Sequence, residues 1–273
     1  MFIFNCKLHR AAIFDLDGTL LDSMWVWHAV DREFFAARGM DVPADYAEKI
    51  QSLTFRETAV YTVERFGLPE SPEDLMALWN EMSFQQYRDH VKLKPGAKEY
   101  LASLRSRGVK LGVATNLTAH VARAVLESNG VLGWFDALTS ADEVPRGKSF
   151  PDIWLLAARK LGVEPRLCVA YDDVAKALLG IRAAGMTACA VREPDMPQDW
   201  EGMKREFDCY IEDFVDILLP PALRAAPLAN EGGLGLAIKR KAYQTHPTKA
   251  PFARRLPQET HARGGGPQGR GEQ

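Results

Sequence analysis

The sequence predicts an α/β protein with a doubly wound parallel sheet, interrupted after its first strand by an all-helical insertion. Three observations carry this prediction. An apolar strand, "AAIF", runs directly into paired acids near the N-terminus; about seventy residues of purely helical patterning follow; and from about residue 93 helices alternate regularly with short apolar strands. Strands separated by single helices imply parallel βαβ units and hence a Rossmann-like core.

The first strand leads into "AAIFDLDGTLLDS". Alternation along a strand puts Asp15 and Asp17 on one side and sends Leu16 to the core. Two carboxylates held side by side in a cleft raise one another's pKa or require a cation. Three helical stretches come next: "MWVWHAVDREFFAARGM", stopping at Gly39; "ADYAEKIQSLTFRETAVYTVERFG", stopping at Gly67; and "SPEDLMALWNEMSFQQYRDHV", opened by a Ser-Pro-Glu-Asp start signal. The alternating part then supplies the strands "VKLGVATN", "FDALTSADEV", "RLCVAYDD" and "MTACAVRE", with helices between them. The expected organisation is a core of residues 1–22 and 93–219, a helical cap of residues 23–92, and a basic Gly/Pro-rich tail of residues 220–273. Ligands of such sheets bind beyond the carboxyl ends of the strands, so a segment inserted after the first strand sits over the site as a lid.

The tail holds seven Pro and eight Gly with only Tyr243 and Phe252 as aromatics, too little apolar surface to offset ordering, and is expected to be disordered. It also carries nine Lys/Arg against three Glu, which leaves residues 1–219 at a net charge of −8 and argues against a nucleic-acid-binding surface. At 273 residues and 47% apolar composition, the chain can bury one good core and a second small one. Cys6, Cys168, Cys189 and Cys209 are far apart, with no C-x-x-C pair, and are expected to be reduced thiols. Polar residues break the N-terminal apolar stretch and no apolar run reaches membrane length, so a soluble cytoplasmic protein without membrane association is expected. Oligomeric state stays open, and a monomer is compatible with the sequence.

Further polar residues end the later strands. Thr115 and Asn116 close "VKLGVATN", Lys148 stands in "EVPRGKSFPDIW" ahead of a helix, and Asp172 and Asp173 close "LCVAYDD". Singly these are a helix cap, a surface charge and a capping pair. Jointly, they bring acid, hydroxyl, amine and paired acid to one edge of the sheet.

With those residues in place, the chain from residue 11 to about 219 resembles the haloacid dehalogenase superfamily, in its phosphatase and β-phosphoglucomutase-like branch. "DLDGTLLDS" fits the family's D-x-D-G-T pattern, and "YDDVAKALLGIRAAGM" fits its fourth motif. The resemblance implies Asp15 as a nucleophile forming an aspartyl-phosphate and Asp17 as the general acid and base. Gly18 would let the chain turn sharply, and Thr19 would bind the substrate by donating a hydrogen bond. Thr115 and Asn116 would bind phosphoryl oxygens while Lys148 neutralises charge. Oxygen-only ligands beside a phosphate imply Mg²⁺, held by the Asp15 carboxylate, the Asp17 backbone carbonyl and Asp173, with Asp172 acting directly or through water.

The chain departs from the family pattern at four places. Ser149 stands where Pro is usual after the lysine, Val174 where Ser is common, and Trp27 where the phosphoglucose mutases carry histidine. Arg56 in "SLTFR" corresponds to a cap arginine whose usual context is Gly-x-Ser-Arg. Trp25 and Trp27, which lie where the cap leaves the core, and Arg56 are candidates for the substrate pocket, with cap packing and a solvated charge as the alternatives. The expectation is a Mg²⁺-dependent phosphatase of a small phosphorylated metabolite, with a sugar phosphomutase as the nearest alternative and a silent phospho-ligand sensor as a third.

Overall fold

A computed structural model describes residues 8–50, 53 and 55–218; the basic tail and Cys6 lie outside the described residues. Strand β1 (Ala11–Phe14) is followed by β2 (Leu21–Asp22), and the inserted segment contributes α1 (Val26–Ala36), α2 (Tyr46–Ile50), α3 (Phe55–Phe66) and α4 (Pro72–Asp89). The chain returns through β3 (Lys92–Leu93) and continues as α5 (Ala97–Ser106), β4 (Lys110–Thr115), α6 (Ala119–Ser128), β5 (Ala137–Ser140) and α7 (Asp152–Leu161). It ends with β6 (Cys168–Asp172), α8 (Ala175–Ala183), β7 (Thr187–Val191), α9 (Trp200–Glu206), β8 (Cys209–Ile211) and α10 (Phe214–Leu218).

Six strands form one parallel sheet in the order β5-β4-β1-β6-β7-β8. The chain winds outward from β1 through β4 to β5, then crosses to β6 and winds the other way. β1 therefore lies at the point where strand order reverses, which is where such sheets bind ligands. Both faces of β1 are covered: Ala11 and Ile13 pack with α7 and α8, while Ala12 and Phe14 face the opposite cluster with α5 and α6. Phe14 also stacks on Tyr171 of β6, ring centroids 4.3 Å apart, and the Tyr171 and Tyr100 hydroxyls meet at 2.9 Å inside the core.

The inserted helices share the α5/α6 cluster. Val26, Phe34, Phe35, Tyr46, Trp79 and Tyr87 are contiguous with Leu20, Leu101 and Val113, so apolar burial seats this segment on the core. Helices α1 and α3 pack on α4, and α4 in turn packs on α6. Ser71 and Asp74 form a reciprocal capping box with Pro72 at the first turn, the geometry that the Ser-Pro-Glu-Asp signal predicts. The second helical stretch differs from expectation: it divides into α2 and α3, with a turn closed by the Leu53 N–H on the Ile50 carbonyl. An N–H that bonds back only three residues closes a turn and ends the helix. A second feature is new: β2 and β3 pair antiparallel, Leu21 opposite Leu93 and Asp22 opposite Lys92, where the chain leaves and rejoins the core.

Candidate active site

Asp15 follows β1 directly, and its N–H donates to the Tyr171 carbonyl, extending the ladder by one bond. Beyond it the strand stops. The Leu16 carbonyl accepts from the N–H groups of Thr19, Leu20 and Leu21, so a tight turn, rather than strand alternation, sets Asp17 beside Asp15. Leu16 is fully buried, as expected. Gly18 makes the turn possible at φ +73°, and a Cβ there would lie 2.6 Å from Asp173 Oδ2. The glycine thus gives the chain its reversal and also gives the Asp173 carboxylate its room.

From β6 come Asp172 and Asp173. Carboxylate oxygens of Asp15, Asp172 and Asp173, all buried, lie within 4.8 Å of one another. Lys148 reaches two of them, its ammonium 2.7 Å from Asp15 and 2.6 Å from Asp172. Asp172 also accepts from the Val174 N–H at 2.8 Å, and Asp173 accepts from the Thr19 hydroxyl at 3.1 Å. The Lys148 backbone is itself fixed, because Trp154 Nε1 donates to its carbonyl at 3.0 Å and Gly180 of α8 has no room for a Cβ against that same carbonyl.

Asp17 faces differently from the cluster. Its Oδ1 accepts from the Ser23 hydroxyl at 2.6 Å and from the Tyr87 hydroxyl at 2.9 Å, while its buried Oδ2 has no hydrogen-bond partner among the described residues. On the far side, the buried Lys94 ammonium donates to the Gly18 and Arg192 carbonyls and pairs with buried Glu193 at 2.8 Å. A crevice lined by Asp173, Arg192, Glu193, Gln198 and Trp200 opens beside the carboxylates.

Electrostatics follow from this crowding. Burial pushes the Asp15 carboxyl well above the usual carboxylate range; Lys148 opposes the rise, and Asp172, Asp173 and Asp17 add to it. Burial, then Asp172, pushes Asp173 up to about 7. Burial raises Asp17 too, against the Ser23 and Tyr87 hydrogen bonds. For Lys148, burial disfavours the charge, but the Asp15 and Asp172 carboxylates outweigh it and raise the pKa. Asp15, Asp17, Asp172, Asp173 and Glu193 crowd around only two ammonium groups, those of Lys148 and Lys94, an excess of oxygen donors over cations. The donor set fits a hard divalent cation.

The structure brings Asp15, Asp172, Asp173, Lys148 and Thr19 into direct contact and sets Asp17 at their edge. Thr19 departs from its expected use, since its fully buried hydroxyl is directed to Asp173 and not outward to a ligand. Thr115, buried at the end of β4, accepts the Leu117 N–H at 3.1 Å, a bond that leaves the hydroxyl's own proton unconsumed; Asn116 next to it is exposed. Arg56 is not drawn in: its exposed guanidinium pairs with Glu73 on α4. Trp27 packs edge-on to Phe55 at 5.6 Å, within the cluster of the inserted helices. Tyr87, Lys94 and Glu193 were not read from the sequence, and no motif spacing marks them. Ser23 stands inside the quoted first motif and could have been.

A profile of haloacid dehalogenase-like hydrolases matches residues 9–185. Hexitol phosphatase B of Escherichia coli (strain K12) is 30% identical over 201 residues, covering 69% of this chain and 86% of that protein. The phosphorylated carbohydrates phosphatase of Thermotoga maritima is 27% identical over 177 residues, covering 65% and 82%. In fold, the chain is similar to the crystal structure of a Thermotoga maritima protein assigned to β-phosphoglucomutase, with a TM-score of 0.68 and 24% identity over 77% of this chain and 98% of that one. Matched by that profile over most of its length, and by a phosphatase at 30% identity, the chain is an enzyme that belongs to the haloacid dehalogenase-like hydrolases.

Proposed function

We propose that this protein is a Mg²⁺-dependent phosphatase that hydrolyses a small phosphorylated metabolite through an aspartyl-phosphate on Asp15. The observation that carries the reading is the pairing of two differently held carboxylates at the end of the central strand: Asp15 against Lys148, and Asp17 with one oxygen bonded and the other open. The named phosphatases among its relatives support the substrate class.

In this reading Lys148 offsets part of the cost that burial puts on the ionised Asp15, and the carboxylate oxygen attacks phosphorus while the bond to the leaving oxygen breaks. Asp17 gives its proton to that leaving oxygen from Oδ2, and later takes a proton from the water that attacks the phospho-aspartate and releases Asp15. Thr115 and Asn116 bind the transferring oxygens, and Thr19 holds Asp173 in place. Mg²⁺ would be held by Asp15, Asp173, the Asp17 backbone carbonyl and Asp172, directly or through water, and would neutralise the phosphate against these carboxylates. The inserted helices, residues 23–92, act as the cap that excludes water and selects the substrate; the core comprises residues 1–22 and 93–219. Three buried free thiols, Cys168, Cys189 and Cys209, support a cytoplasmic setting.

The test is phosphate release from a panel of sugar phosphates, phosphoglycolate, nucleotides and 4-nitrophenyl phosphate, with Mg²⁺ and with chelator, and with Asp15→Asn as control. Release that needs Mg²⁺ and disappears in the variant is the expected result. A protein that becomes phosphorylated and isomerises a sugar phosphate without releasing phosphate would be a mutase. Ligand binding with neither reaction would make it a sensor.

A further inference from the structure

We propose that Tyr87 is a positioning residue through which the inserted helices set the orientation of the acid–base carboxylate, an inference that rests on the hydrolase reading above. Tyr87 lies on α4, seventy residues from Asp17 in sequence, and is 3% exposed. Its ring belongs to the apolar cluster that joins the inserted segment to the core, while its hydroxyl leaves that cluster and ends 2.9 Å from Asp17 Oδ1. A tyrosine placed only for packing has no need of this bond, because phenylalanine would fill the same volume.

Geometry gives the bond its consequence. Ser23, six residues on from Asp17 and ahead of α1, donates to the same Oδ1 at 2.6 Å, so a local hydroxyl and a distant one from α4 converge on one oxygen. Two donors on Oδ1 make it an acceptor only. A neutral Asp17 then carries its proton on Oδ2, the buried oxygen with no hydrogen-bond partner among the described residues. That proton moves to the leaving oxygen as the leaving group's bond to phosphorus breaks and the bond from Asp15 to phosphorus forms. When the inserted helices are not seated, Ser23 alone holds Oδ1, and the carboxyl can rotate away from the leaving group. Correct seating of the inserted segment over a bound substrate is thereby read directly at the proton donor.

The closing experiment exploits leaving groups. An alkyl phosphate releases a poor alkoxide and needs the proton, whereas 4-nitrophenyl phosphate releases a nitrophenolate that departs without it. The measured quantity is kcat/KM, which covers only the steps through transfer to Asp15. Tyr87→Phe is expected to lower kcat/KM about 10- to 100-fold for the best alkyl phosphate of the panel and less than threefold for 4-nitrophenyl phosphate, in keeping with loss of one hydrogen bond to the carboxylate that forms as the proton leaves Asp17. Ser23→Ala is expected to show the same split, and thermal unfolding of each variant checks that both fold. An equal loss on both substrates, or no loss on either, overturns the positioning role while leaving the hydrolase reading intact. A wild-type protein that releases phosphate from neither substrate sinks the hydrolase reading and this inference with it.

Discussion

Replacing Lys148 with Met removes the ammonium from between Asp15 and Asp172 and keeps most of the side-chain volume. Both partners are buried, with side chains 7% and 0% exposed, so water cannot take the ammonium's place. Removing one member of a buried ion pair costs about 3–5 kcal/mol, because the remaining charge is left uncompensated. Against a total stability of about 5–15 kcal/mol, that is a large fraction. A proton on Asp15 is the available remedy. Burial has already raised that pKa with Lys148 opposing, and without Lys148 it rises further.

The sign follows from where the proton sits. A carboxyl whose folded pKa is raised carries no penalty below its unfolded value of 3.8, and the penalty grows as pH climbs toward the folded value. Each pH unit over which the variant holds a proton that the native protein lacks is worth about 1.4 kcal/mol. Urea unfolding in chelator, followed by tryptophan fluorescence, should therefore show a loss of about 3–5 kcal/mol at pH 8 and a clearly smaller one at pH 5.5. An equal loss at the two pH values, or a loss under about 1 kcal/mol at pH 8, would refute Lys148 as the counter-ion of these carboxylates.

Three further outcomes are expected. Gly18→Ala places a Cβ at φ +73° against the Asp173 carboxylate, so it should cost about 1–2 kcal/mol from the backbone alone and also raise the Mg²⁺ concentration needed for half-maximal activity; an unchanged Mg²⁺ requirement in a titration contradicts the close approach. Trp79→Ala removes a ring that is 1% exposed and lies edge-on to Phe34 at 5.5 Å, and denaturant unfolding should register about 3–5 kcal/mol; a loss under about 1 kcal/mol would show that the inserted helices do not depend on this cluster. Asp173, pushed up to about 7, is largely protonated at pH 5 and ionised at pH 8 when no cation is bound. Mg²⁺ competes with that proton, so the rise in Tm on adding it should be larger at pH 8 than at pH 5, and calorimetry giving equal rises would contradict binding at this carboxylate.

The sequence by itself determined the sheet and the chemistry-bearing residues that end its strands. Strands such as "VKLGVATN" and "LCVAYDD" are short, apolar and separated by single helices, and local patterning of that kind is sufficient to specify a parallel sheet with acids and Thr115 at the carboxyl edge. Helix limits were legible where a local signal exists, as in the Ser71–Asp74 capping box. In the second helical stretch periodicity ran on too far, because a turn closed by Leu53 on Ile50 ends α2 before α3 begins. Only the tertiary structure decided what each polar group faces. Thr19 turns to Asp173, Arg56 to Glu73 and Tyr87 to Asp17, and Lys94 is drawn between Gly18 and Glu193, a partner about a hundred residues away. The reason is physical: a strand or helix is specified by residues within a few positions of one another, whereas a buried hydroxyl or charge takes the partner that desolvation leaves beside it, and that depends on how distant elements pack.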